Sequence, residues 1–290
     1  MIDLHLQVRP AAREDYQALS SLIFFETHAH RHLDWRMPLD WLGSPYFWVL
    51  EDDRRALAAL ACPPDPPGVA WIRLFVHSGA APPGWAWPAL WESARRDMAA
   101  LGGAQVAAIV RQDWFRRVLL ESGFQPMQPI VMLEWRGRPV MPPALAPGFR
   151  LRPMTSADLP EAARVDAESF GPFWMNSLDA LTRAFSMRTS AALAEDPQGR
   201  VAAYQISTAN ASGAHLARLG VRKEAQGRGL GRALVADLIR QMRGRNVERL
   251  TVNTQADNAA SLALYQGLGF VRTGEEFPVV RFDVGGSYAS

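Results

Sequence analysis

One cysteine, Cys62, stands in 290 residues. A single thiol excludes an internal disulfide framework and a cysteine-rich zinc site, and a reducing compartment is the plain expectation. No run approaches the roughly 18 uninterrupted apolar residues that a membrane span requires. The N-terminal Met1-Ile-Asp-Leu-His-Leu-Gln-Val-Arg9 alternates apolar and polar residues and lacks the basic flank and long apolar core of a secretory signal. Charge of one sign is scarce too: 31 Lys and Arg face 29 Asp and Glu, a net +2. That balance makes no electrostatic case for nucleic acid or a membrane surface as partner. A soluble, cytoplasmic protein is expected. What the chain does have is apolar mass, 48% of residues against 21% charged, enough for two cores of ordinary domain size.

Taken in order, the periodicities predict a strand over Leu4–Arg9, a helix from about Ala12 to Phe25, strands at Tyr46–Leu50, Ala56–Ala61 and Val69–Val76, and a helix from about Pro88 to Leu101. A strand at Val106–Val110, a short helix over Asp113–Ser122 and a strand at Ile130–Trp135 close this half. Pro139, Pro142, Pro143 and Pro147 then mark a linker. After it the order restarts. Arg150-Leu-Arg152-Pro153 echoes Val8-Arg9-Pro10, and each half ends in a short helix closing on Gly-Phe, at Gly123-Phe124 and Gly269-Phe270. Two matching anchors at similar separation predict a duplicated domain.

The most informative stretch is Leu219-Gly-Val-Arg-Lys-Glu-Ala-Gln226-Gly-Arg228-Gly-Leu-Gly231. A strand ending at Val221 runs into a glycine-rich turn and then an amphipathic helix carrying Ala233, Leu234, Leu238, Ile239 and Met242. That order aims backbone N–H groups and a helix dipole at one spot, which suits a phosphate; the bland reading is only a glycine turn. The run is not a P-loop, since no Lys-Ser/Thr follows the last glycine. It is not the dinucleotide fingerprint G-x-G-x-x-G either, since Arg232-Ala-Leu follows Gly231.

Gln226, Gly229 and Gly231 resemble the Q/R-x-x-G-x-G/A pyrophosphate signature of the GCN5-related N-acetyltransferase superfamily. Asn258, Ser261, Tyr265 and Gly269-Phe270 downstream resemble the second part of that family's cofactor site. The resemblance spans about residues 148–284, and the duplicated organisation is similar to tandem members of the mycothiol synthase type. It implies an α/β (α+β) fold of two tandem domains, each a mixed, mostly antiparallel sheet flanked by helices: 1–138, a linker at 139–148, and 149–290. The first half departs from the pattern. After Val76 it has His77-Ser-Gly-Ala-Ala-Pro82-Pro83-Gly-Trp85, without the signature and with two prolines that lack N–H donors, so a degenerate domain without cofactor is expected.

The resemblance implies acetyl-CoA as co-substrate, held by Leu219, Gly220, Val221, Gln226, Gly227, Arg228, Gly229, Leu230, Gly231, Asn253, Asn258, Ser261 and Tyr265. Backbone at Leu219–Val221 would meet the thioester carbonyl, Tyr265 would be the general acid near the sulfur, and Arg222, Arg228 and Arg232 could meet phosphates. Where many members carry a glutamate six positions before the strand valine, this chain has His215, a residue able to take a proton near neutrality; the alternative is a half-buried structural histidine. Glu168 is the rival base and, with Phe173 and Trp174, a candidate acceptor-binding residue, though also readable as a solvated helix residue. His28, His30 and His32 read as a surface cluster, and no metal is expected. Trp85, Trp87 and Trp91 read as core packing, with an acceptor-binding wall as the sharper alternative. The function implied is acetyl transfer to a primary amine of a small-molecule acceptor by direct attack in a ternary complex. A non-catalytic acyl-CoA sensor and a transferase of longer acyl groups stand as rivals.

Overall fold

A computed structural model describes residues 6–285 except Thr27, Arg54, Leu101, Pro142 and Pro143, so Leu4 and His5 of the expected first strand lie outside the described residues. The chain is mixed α/β and divides into two compact units: Met1–Met127 with Phe277–Ser290, and Gln128–Glu276. The expected linear division at 139–148 is therefore corrected at two strands, and hydrogen bonding gives the reason. The strand Gln125–Arg136 that ends the first half and the strand Val271–Val284 that ends the second have exchanged ladders.

Unit 1 comprises β1 (Leu6–Pro10), α1 (Tyr16–Phe25), β2 (Ala29–Arg31), β3 (Phe47–Asp52), β4 (Arg55–Ala61), β5 (Val69–Trp71), β6 (Leu74–His77), α2 (Pro83–Ala100), β7 (Ala104–Ile109), α3 (Asp113–Glu121) and the start of β8 (Gln125–Arg136). Five strands pair antiparallel in the order β1-β3-β4-β6-β2. The single strand expected over 69–76 is broken at Ile72–Arg73: its first part pairs parallel with β7, its second joins the five-stranded ladder. Helix α1 buries Leu19 and Leu22 against Phe47, Val49 and Val76. Helices α2 and α3 bury Trp87, Leu90, Trp91, Phe115 and Leu119 in a separate core, and Trp87 and Trp91 stack at 5.5 Å. Those two tryptophans are packing residues, while Trp85 is exposed. Helix α2 starts earlier than expected, because the punctuating Pro83 takes the first helical position, where a missing N–H costs nothing.

The histidine run corrects another expectation. Its alternate spacing is a strand, not a surface cluster: Ala29, His30 and Arg31 pair with Val76, Phe75 and Leu74. His30 turns inward, stacks on Phe115 at 4.3 Å and bonds the Ile72 carbonyl through Nε2 at 3.1 Å. Burial pushes its pKa down to about 4.

Unit 2 comprises the rest of β8, β9 (Arg150–Pro153), α4 (Leu159–Trp174), α5 (Leu178–Ser186), β10 (Ser190–Glu195), β11 (Val201–Asn210), β12 (Gly213–Val221), α6 (Leu230–Gly244), β13 (Arg249–Gln255), α7 (Ala259–Gln266) and the start of β14 (Val271–Val284). Its strands run β9-β10-β11-β12-β13-β8, with β12 and β13 parallel and the other pairs antiparallel. Helices α6 and α7 bury Val235, Leu238, Ile239 and Tyr265 with Leu216, Leu250 and Val252; α4 packs on β11 and β12.

The duplication shows in its ion pairs. Arg9 donates to both oxygens of Asp15 (2.7 and 2.8 Å) and to Glu51 (2.7 Å). Arg152 does the same to Asp158 (2.8 and 2.7 Å) and Glu195 (2.7 Å). The parallel ladders correspond too: Val69, Ala70 and Trp71 face Gln105, Val106 and Ala107, as Ala214, His215 and Leu216 face Leu250, Thr251 and Val252. In unit 1 the far edge of β7 is completed by Val279–Val284 of β14, and in unit 2 the far edge of β13 by Ile130–Arg136 of β8. Each half thus supplies the other's closing strand.

Candidate active site

In unit 2, β12 and β13 part company. Their pairing ends at Leu216 and Val252, although β12 continues to Val221 and β13 to Gln255. A bulge lies at the parting. Against β11, Arg218 faces Ile206 and Leu216 faces Ser207, so Ala217 is the extra residue. Bulges bend a strand and increase its twist, which opens the seam. Beyond it, the edge of Arg218–Val221 turned toward β13 has no strand partner among the described residues.

The mouth of the seam carries the glycine turn. Gly227 and Gly229 have φ of 75° and 77°, the left-handed region that favours glycine. Gly229 caps α6, and the first intrahelical bond runs from the Ala233 amide to the Gly229 carbonyl at 2.9 Å. The amides of Leu230, Gly231 and Arg232 therefore have no intrahelical acceptor and point out of the helix start. Gly231 answers a different need: a Cβ there would come within 2.9 Å of Leu264 on α7. Gln226, Gly227, Arg228 and Gly229 are exposed, whereas Leu230 is an anchor buried in the core.

Of the three arginines expected near a phosphate, Arg228 and Arg232 are exposed. Arg222 is committed elsewhere: it pairs with Glu161 and Glu168 of α4 and donates to the Val201 carbonyl at 2.7 Å. The same contact occupies Glu168. Asn258 and Ser261 meet each other, the Asn258 Oδ1 accepting the Ser261 amide at 3.0 Å as the cap of α7. Asn253 Oδ1 is shut from solvent and has no hydrogen-bond partner. Gly220 lies against Tyr204 and Ser169, where a Cβ would meet the Tyr204 ring at 2.8 Å.

His215 sits two residues before the bulge. Its Nδ1 lies 2.8 Å from Thr251 Oγ1, and that hydroxyl reaches the Ala214 carbonyl at 3.3 Å. With the hydroxyl proton on the carbonyl, Nδ1–H donates to Oγ1 and Nε2 keeps its lone pair. Burial lowers the pKa of His215. Tyr265 is buried against Phe270, with ring centroids 5.6 Å apart. Burial raises the pKa of its hydroxyl, against a lowering pull from the Arg218 charge.

A cluster that sequence reasoning missed lies behind the bulge. Asp166 of α4, fully buried, accepts two bonds from Arg218 (2.6 and 2.8 Å), one from the Asn176 amide (2.6 Å) and one from the Tyr204 hydroxyl. Arg218 also donates to the Trp174 carbonyl at 2.7 Å and stacks on Phe170 at 3.5 Å. A signal was there: Asp166 interrupts the buried face formed by Leu159, Ala162 and Val165, and a charge on an apolar helix face needs a partner. Phe173 and Trp174, edge to face at 5.0 Å, follow a kink at Gly171 (φ 70°, ψ 176°) and Pro172.

The model of the acetyltransferase (GNAT) family matches residues 159–270. The [ribosomal protein bS18]-alanine N-acetyltransferase of Salmonella typhimurium is 31% identical over 117 residues, which cover 40% of this chain and 77% of that protein. For the Escherichia coli K12 counterpart, 40% identical over 72 residues (25% of this chain), the match spans 49% of its length, so the chain spans about half of that relative. Mycothiol acetyltransferase of Arthrobacter sp. FB24 is 36% identical over 86 residues, 28% of this chain and 27% of that one. Over nearly its whole length the fold matches a tandem GNAT protein from the clavulanic acid biosynthesis pathway, with TM-score 0.62, 18% identity, and coverage of 98% and 100%.

Proposed function

The chain belongs to the acetyltransferase (GNAT) family, and from that premise we propose that unit 2 transfers the acetyl group of acetyl-CoA to a primary amine, by direct attack with both substrates bound. The observation that carries the reading is the open seam between β12 and β13, with the N-terminus of α6 at its mouth. The residues present fit such a substrate. Gly227 and Gly229 turn the backbone toward a pyrophosphate, and the free edge of β12 suits the amide-bearing arm. The buried, unpartnered Oδ1 of Asn253 is an acceptor waiting for a donor.

Acetyl-CoA supplies an activated acyl carbon and a thiolate leaving group, with thiol pKa about 8.5. The residues do the rest. Backbone N–H on the free edge at Leu219–Val221 meets the thioester oxygen, where negative charge gathers as the amine adds. His215 Nε2 takes the proton that the nitrogen sheds as its bond to the acyl carbon forms. Tyr265 gives its hydroxyl proton to the sulfur as the carbon–sulfur bond breaks. Phe173 and Trp174 border the acceptor, a small-molecule amine on this reading. Unit 1 takes no part in binding, because β2 lies along the edge of β6 that corresponds to the free edge of β12.

Isothermal titration of the whole chain with acetyl-CoA, followed by CoA-thiol release with a panel of amines, tests the reading. Because the Salmonella relative is named for an alanine amine, the panel includes a peptide with N-terminal alanine beside amino sugars and polyamines. One acetyl-CoA per chain and release with at least one amine are expected. No binding at millimolar acetyl-CoA would defeat the proposal. Binding without release to any amine would leave a sensor of acyl-CoA instead.

A further inference from the structure

The two units place an arginine at the same point of the fold and give it the same kind of partner. Arg73 lies at the break between β5 and β6, and Arg218 at the bulge of β12. Each is followed by a leucine and, two residues later, a valine: Arg73-Leu-Phe-Val76 and Arg218-Leu-Gly-Val221. Each guanidinium turns inward to a shielded aspartate. Arg73 pairs with Asp34 at 2.8 Å, with both side chains about a tenth exposed or less (8% and 10%). Arg218 pairs with Asp166 at 2.6 Å, the aspartate having no exposure at all.

What the arginine holds differs. In unit 1, Asp34 belongs to the segment directly after β2, and the Arg73 carbonyl accepts the His32 amide at 3.0 Å. The arginine there fastens the segment that lies along β6. In unit 2 the corresponding edge is open, and the fastened piece is the loop after the α4 kink. Arg218 takes the Trp174 carbonyl directly, and through Asp166 it takes the Asn176 amide. Phe170 stacks on the other face of the guanidinium.

We propose that the Arg218–Asp166 pair is a clamp that fixes the Phe173–Asn176 loop to the strand bulge, and so sets the position of the acceptor amine relative to the thioester. The proposal rests on the acyl-transfer reading of the same site. Arg218 is a positioning residue: its Nε and Nη2 donate to Asp166 and to the Trp174 carbonyl, so it acts through the loop. The fork geometry matters, since lysine cannot make two parallel bonds to one carboxylate while also reaching a carbonyl. The pair has further consequences inside the core. Asp166 also accepts the Tyr204 hydroxyl, which completes the set of partners around the buried carboxylate. The charge of Arg218 is felt at the Tyr265 hydroxyl as well.

Arg218→Lys keeps the charge and loses the fork. The double variant Asp166→Leu with Arg218→Met removes both charges together, which avoids leaving either one buried alone. In each, the KM for the amine should rise about tenfold or more, while the acetyl-CoA Kd stays within about twofold, because the turn before α6 is untouched. A purely structural pair would instead leave the amine KM alone, or weaken amine and acetyl-CoA together with a drop in melting temperature; either result overturns the proposal. Hydrogen exchange on the wild-type protein gives a test independent of any variant. The Asn176 amide should be protected to the level of the β11 amides, and exchange as fast as in an exposed loop would overturn the clamp. Wild-type acetyl-CoA titration separates the two failures: no binding there defeats the acyl-transfer reading, while the exchange result stands or falls by itself.

Discussion

Two stretches with the same local sequence pattern, Arg73–Val76 and Arg218–Val221, meet opposite fates. The first is covered by β2, three residues whose ladder runs along its outer edge. The second is left bare by a bulge and a diverging neighbour. Around them the units are alike, down to the Arg9–Asp15–Glu51 and Arg152–Asp158–Glu195 pairings. A duplicated fold therefore does not duplicate the open edge. One short segment lying on one edge suffices to separate the halves, together with a bulky residue where the open edge has a glycine, Phe75 against Gly220.

His215 has an alanine, Ala70, at the corresponding ladder position of unit 1. His215→Ala should lower kcat about 100- to 10,000-fold at pH 7.5, the usual span for a lost general base, with acetyl-CoA affinity kept. The wild-type rate should fall on the acid side as His215 gains its proton. Because burial depresses its pKa, that limb lies below the ordinary value of 6.5, and it should vanish in the alanine variant. A limb that survives the substitution would pass the role to another group.

Next in size is the glycine turn. Gly229 sits at φ 77°, so Gly229→Val strains the backbone at the helix start and should weaken acetyl-CoA about tenfold or more. Gly84, at the start of α2, has ordinary backbone and open space around it, and Gly84→Val should leave the titration unchanged. Equal losses from both would mean that unit 1 binds as well.

The smallest effect is on stability and concerns the covering strand. His30, neutral and buried with Arg111 nearby, has its pKa pushed down to about 4. A group whose folded pKa is lowered favours the protonated unfolded chain as the pH drops. Its stabilisation is therefore whole above about 6.5 and is lost progressively down to about 4, amounting to roughly 3 kcal/mol. Melting curves from pH 7.5 to 4.5 should show this loss, and His30→Phe should flatten it. An unchanged slope in the variant would remove His30 as the cause.

Much of this was legible in the chain. Leu219–Gly231 announced its strand, turn and helix because glycine spacing and apolar period are local properties, and Gly123-Phe124 with Gly269-Phe270 announced the repeat. What escaped was decided between distant segments. Nothing local to Ala29–Arg31 says which edge it will take, and three residues are too few to show a strand period. The exchange of β8 and β14 is also silent, since either strand has the pattern for either ladder. Asp166 was visible as a charge among Leu159, Ala162 and Val165, but its partner Arg218 lies on a strand far along the chain. Arg222 misled for the same reason: its nearness in sequence to the turn concealed its pairing with Glu161 and Glu168.

The traded closing strands have a consequence for biosynthesis. A ribosome delivers residues at about 5–20 per second, and amino-terminal domains ordinarily fold while the remainder is still being made. Here β7 must wait for Val279–Val284, which follow all of unit 2 in the chain, before its ladder is complete. Unit 1 thus stays unfinished through the synthesis of everything in unit 2. The half that is made first is therefore the last to be completed.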